Sequence, residues 1–233
     1  MGKILTAYVG LVILVAGSRA LAHNPIMSDG TAVDAAEAIR LGDVQVSRVV
    51  YHRVTESAPQ VWITFQIGGS QRLKLQLGVP FIERLRDYRP ALAVLGPGLP
   101  EVDLPFAVPE GLGGLLLETD EVAHPEVFDE PFSVTRSWIV ASENVELPEP
   151  GRYYVVAFDP SGQEGKLWVA LGREEAFTLN DIAELPEALA AVRRFHEVPE
   201  GSGLPCFIAP IGFLAVAIVV RRALVVTEGG TSP

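Results

Sequence analysis

The residues best suited to chemistry in this chain are its histidines and a long acidic stretch. His23 follows a predicted leader, so cleavage after Ala22 makes it the first residue, and its α-amine and ring nitrogen then form a chelate. A second histidine, His52 or His124, completes a set of amine and imidazole nitrogens that suits Cu(II) in a tetragonal geometry. Glu118, Asp120, Glu121, Glu126, Asp129 and Glu130 offer oxygen ligands for calcium, without the fixed spacing and central glycine of a dedicated calcium loop. The candidate metal ligands are therefore His23, His52, His124, Asp120 and Asp129. Ser133, Ser137 and Ser161 lack a nucleophile-elbow context, so hydrolysis is not predicted. Gly111, Gly113 and Gly114 do not follow a strand and open a helix, so they make no phosphate cradle. Glu130, Phe132, Arg136 and Trp138 form the candidate ligand-binding patch, because arginine and aromatic side chains carry binding energy where they line a partner site.

The ends of the chain set where such residues work. Residues 1–22 have the three parts of a secretory signal: Lys3, an apolar core, and the Ala20-Leu21-Ala22 cleavage site. Residues 204–220 are a second apolar run, followed by Arg221 and Arg222. Extended through 226, the run is long enough to span a bilayer, and the arginines place the C-terminal side in the cytoplasm. Residues 199–203 read as a stalk and 227–233 as a cytoplasmic tail. The expectation is a single-pass membrane protein with residues 23–198 as its domain on the outer face.

The chain has 233 residues and a net charge of −11. That charge repels nucleic acid and excludes it as a partner. Cys206 is the only cysteine, so no internal disulfide forms. Charge is uneven: residues 101–149 hold twelve acidic residues and one basic residue, Arg136.

Short strands and turns must position the candidates. Residues 151–172 predict one β-hairpin, with Asp159-Pro160-Ser161-Gly162 as its turn. Residues 61–67 and 72–79 alternate and predict a second hairpin around Gly68-Gly69-Ser70. Residues 44–54 and 132–140 read as strands, 91–95 as a buried strand, 115–117 as a short strand, and 104–114 as a long loop. Residues 33–41 suggest a helical turn. Residues 180–197 show helical spacing, with Pro186 placed in the first turn. The whole reads as a mainly β, jelly-roll-like antiparallel β-sandwich with one late α-helix, plus the C-terminal transmembrane helix.

Three segments together resemble the pre-peptidase C-terminal type of exported β-sandwich domain. They are VWITFQIGGSQRLKLQLGVP (61–80), PALAVLGP (90–97) and PGRYYVVAFDPSGQEGKLWVAL (150–171). The resemblance implies a small accessory module that binds polymers or assists secretion. No attached enzyme accompanies it in this sequence.

The sequence thus predicts a membrane-anchored, extracytoplasmic, non-catalytic binding module for a protein or a surface polymer. The loops within 96–138 are its expected binding face, since loops on a rigid sandwich carry function. The competing reading is a copper-binding protein or copper oxidase built on His23. No cofactor is predicted for the first reading; copper belongs to the competing one, and calcium is a separate expectation for the acidic stretch.

Overall fold

Residues 153–158 and 167–171 are apolar almost without interruption, so strands formed there must be covered on both faces. The computed structural model describes residues 24–174 and 179–199, and shows how that is done. Eleven strands occur among them: β1 (Asn24–Met27), β2 (Ile39–Arg40), β3 (Arg48–Val54), β4 (Gln60–Ile67), β5 (Gln71–Pro80), β6 (Ala91–Gly96), β7 (Gly113–Leu117), β8 (Glu126–Glu130), β9 (Thr135–Leu147), β10 (Gly151–Phe158) and β11 (Gly165–Leu171). One helix, α1 (Leu179–Phe195), follows them. The strands form a six-stranded sheet in the order β1-β3-β11-β5-β9-β8 and a five-stranded sheet in the order β2-β4-β10-β6-β7.

From β1 to β6, and again from β9 to β11, successive strands alternate between the sheets, and this corrects both predicted hairpins. β4 pairs with β2 and β10, while β5 pairs with β11 and β9. β10 pairs with β4 and β6, while β11 pairs with β3 and β5. Each turn therefore carries the chain across the sandwich. The alternation itself was sound: Ile63, Phe65 and Ile67 meet Leu73, Leu75 and Leu77 in one core between the sheets. A hairpin would set those two apolar rows side by side, whereas the crossing turn sets them face to face. Consecutive strands pair only at β6–β7 and β8–β9.

The sandwich is also not wholly antiparallel, because β1 runs parallel to β3 and β2 parallel to β4. The predicted helical turn at 33–41 is absent; Asp34 Oδ1 accepts from the amides of Ala36 and Glu37 at 2.8 and 3.0 Å, and the chain then enters β2.

The outer faces have their own covers. Phe195 and Val192 of α1 pack on Val49, Tyr51, Trp168 and Ala170 of the six-stranded sheet. Val102, Leu104, Phe106 and Val108, from the long loop, pack on Trp62, Tyr154, Val156 and Phe158 of the five-stranded sheet. Pro186 lies inside α1 and not in its first turn. No helix among the described residues is long and apolar enough to cross a membrane; the predicted span, like the leader, tail and His23, lies outside the described residues.

Candidate functional site

α1 covers only part of the outer face of the six-stranded sheet. Beside it a cleft of about 430 Å³ remains, within the size range of ligand sites. The side-chain period of two fixes its lining. Gln76 and Lys74 of β5, Trp168 of β11, Tyr51 of β3, Ser137 and Thr135 of β9, and Glu126, Phe128 and Glu130 of β8 share this face.

Glycine shapes the floor. Trp168 is paired with Gly78, and a β-carbon at Gly78 would lie 2.2 Å from the indole ring. At one end, Gly172 takes φ +81°, a left-handed conformation that glycine adopts without strain, and a β-carbon there would meet the carbonyl oxygens of Val44 and Gln45 at 2.6 Å.

A chain of hydrogen bonds fixes the middle. Trp168 Nε1 donates to Ser137 Oγ at 3.0 Å, and Ser137 Oγ donates to His196 Nε2 at 3.1 Å. His196 Nδ1 lies 2.9 Å from the Val192 carbonyl, which can only accept, so the proton is assigned to Nδ1. Burial lowers the pKa of His196 to about 4, with the Val192 carbonyl opposing and Lys166 adding to the fall. The ring is therefore neutral at pH 7. Tyr51 packs edge-on against Phe195 and His196, and burial, with the Glu130 carboxylate second, pushes its phenol pKa up.

The two ends of the cleft differ in charge. Lys74 Nζ donates to Ser142 Oγ at 2.7 Å, and Arg173 donates to Asn144 Oδ1. Neither cation is among the ion pairs of the described residues. Glu126 is exposed on β8. Glu130 accepts from the amides of Phe132 and Ser133 at 3.0 and 2.6 Å and from Ser133 Oγ. These bonds hold the β8–β9 turn, where Val134 takes φ +52°, an unusual conformation for a β-branched residue.

The end of α1 is fastened to the sheet. Lys166 is buried, and its Nζ donates to the Phe195 carbonyl at 2.7 Å and to Glu197 Oε1 at 2.6 Å. Arg84 makes a two-pronged pair with the same carboxylate at 2.7 and 2.5 Å. These hydrogen bonds to Arg84 and Lys166 bring the pKa of Glu197 down to about 2.

The predicted ligand patch does not converge. Glu130 faces the cleft, and Phe132 lies in the turn after β8. Arg136 and Trp138 point to the other face of β9, as their even spacing from each other and odd spacing from Ser137 require. There Trp138 packs on Phe81 with ring centres 4.4 Å apart, and Arg136 lies 5.3 Å from the Phe81 ring centre and 2.7 Å from Asp129.

The predicted metal ligands are likewise dispersed. His52 is buried and uses both ring nitrogens, Nδ1 with Ser28 Oγ at 3.1 Å and Nε2 with the Ala58 carbonyl at 3.0 Å. His124 and Asp120 are exposed, and Asp129 pairs with Arg136. Among the described residues no three His, Cys, Asp or Glu side chains gather where they could hold a metal.

Sequence reasoning missed Lys74, Gln76, Tyr51, Trp168 and Arg173. The available signal was the second face of the alternating strands, which carries Arg72, Lys74 and Gln76 in one strand and Lys166, Trp168 and Ala170 in the other. An exposed-looking row that also contains tryptophan marks a face with a partial cover.

Neither a protein-family model nor a curated protein matches the chain. Among solved structures, the chain is similar to the pre-peptidase C-terminal domain of a collagenase from Bacillus anthracis. The match has 12% identity and a TM-score of 0.30, and covers 57% of this chain and 93% of that one. It is a weak resemblance at the level of the fold.

Proposed function

We propose that this chain is an extracytoplasmic β-sandwich that binds a protein or a surface polymer in the cleft of the six-stranded sheet, held to the membrane by residues 204–226. The cleft carries the reading: a cavity of about 430 Å³, floored by Trp168 and Phe128 and rimmed by charges of both signs, on a sheet that cannot collapse into it. The order β3-β11-β5-β9 opposite β4-β10-β6-β7 supports a jelly-roll type for the sandwich. The leader at 1–22, the apolar run and the Arg221-Arg222 pair support an exported domain with a single C-terminal anchor.

The test is crosslinking in native membranes followed by capture, with the full-length chain and a Gln76→Trp form side by side. Gln76 is partly exposed on the cleft wall, so the larger side chain fills the cleft without entering the core. A protein or polysaccharide captured by the native chain and lost on filling the cleft supports the reading. Equal capture by both forms places binding elsewhere.

A further inference from the structure

We infer that the cleft takes an extended peptide, with its free C-terminal carboxylate between Lys74 and Arg173 and a cationic side chain at Glu126; this rests on the cleft being the binding site. The first observation is the state of the two cations. Both line the cleft, both donate to neutral side-chain oxygens, and neither is in an ion pair among the described residues, in a chain of net charge −11. A lysine beside an arginine fork is a strong receiver for a carboxylate.

The second observation is the distance to the opposite charge. Glu126 is paired with Ile139, and Ile139 with Gly78, four residues along β5 from Lys74. At roughly 3.4 Å per residue this is about 14 Å along the strands, and the two strand spacings from β5 to β8 add about 10 Å sideways, so the two poles stand about 17 Å apart. An extended peptide covers that length in about four residues together with the reach of a long cationic side chain. Between the poles, Trp168, level with Gly78, offers apolar surface for side chains, and the Gln76 amide offers hydrogen-bonding groups to a backbone; Phe128 extends the apolar surface just beyond Glu126.

Charge complementarity favours this occupant over its main competitors. A uniformly anionic polymer meets Glu126 and Glu130 at the far end. A neutral glycan gains nothing from the Lys74 and Arg173 charges. A dipolar chain of four residues or more satisfies both ends.

The experiment uses the full-length chain in detergent micelles and fluorescein-labelled peptides of the form Gly-Lys-x-x-Leu, where x is any apolar residue. The pool is prepared both as free acids and as C-terminal amides, and binding is read by fluorescence anisotropy. The expected result is binding of the free-acid pool, weakened about tenfold or more by amidation and equally by the double change Lys74→Ala and Arg173→Ala. Glu126→Lys should remove the preference for lysine in the peptide while leaving the effect of amidation. Equal binding of acid and amide overturns the inference. So does failure of the pool to bind while the membrane partner is still displaced by Gln76→Trp, which leaves the cleft reading standing. Failure of both experiments removes the cleft reading itself.

Discussion

The indole of Trp168 lies on Gly78, its partner across the β5–β11 ladder, and donates its N–H to Ser137 on the next strand. Three strands are thus keyed together at one point on the cleft floor. Gly78→Ala puts a methyl group inside the ring's space, and the ring cannot withdraw without losing Ser137. The expected cost is about 3 kcal/mol in urea unfolding, accompanied by loss of near-ultraviolet circular dichroism from the displaced indole. An unchanged midpoint would show that the ring has another resting place.

Two buried tyrosines should respond oppositely to loss of their hydroxyl. Tyr153 Oη lies 2.9 Å from the carbonyls of both Pro97 and Glu149, tying β10 to the loop after β6. Tyr88 Oη is buried with no hydrogen-bond partner among the described residues. Tyr153→Phe is expected to lower stability by about 1 kcal/mol, and Tyr88→Phe to raise it by about 1 kcal/mol, because an unmet buried hydroxyl costs its desolvation. Thermal unfolding of the two variants checks the pair, and equal losses would sink the distinction.

Acid should loosen the end of α1 in two stages. His196, in contact with Ser137, the Val192 carbonyl, Tyr51 and the nearby Lys166 charge, has its pKa lowered from 6.5 to about 4. The unfolded chain therefore takes up this proton first, and stability present above pH 6.5 is lost as pH falls toward 4, by about 3 kcal/mol. His52, lowered mainly by burial, acts in the same direction. Glu197, lowered from 4.5 to about 2, contributes stability above pH 4.5 that disappears as pH falls toward 2, and its partial exposure keeps this share small. Urea midpoints measured from pH 7 to 3 should fall most between 6.5 and 4, and His196→Gln should flatten that interval. A native midpoint that is level across it contradicts the assignment.

Much of the strand content was legible from local pattern. The run 91–95 lies in a strand buried along its whole length, as its unbroken apolar character predicts. The row Leu73, Leu75, Leu77 and Val79 faces the core, as alternation predicts. Pairing was not legible, because alternation names a strand's faces and not its neighbour. The turns at 68–70 and 159–162 suit a crossing between sheets as well as a hairpin. β8 was missed because three of its five residues are acidic and hide a short strand inside a charged segment. The cleft was missed because it arises where α1 stops covering the sheet, a boundary set by the Lys166–Glu197–Arg84 fastening between segments far apart in sequence.

The last two strands among the described residues occupy interior places in the two sheets: β11 lies between β3 and β5, and β10 between β4 and β6. A growing polypeptide therefore cannot close either sheet from its earlier strands alone. Until residue 171 is available, the rows on β3, β4, β5 and β6 lack the strands that join them, and their apolar faces stay open to unwanted association. Completion comes as one late event built on pairings more than a hundred residues apart, such as Val50 with Val169, which makes folding slow for a domain of this size. A nascent chain of this design needs protection until its last strands have been made.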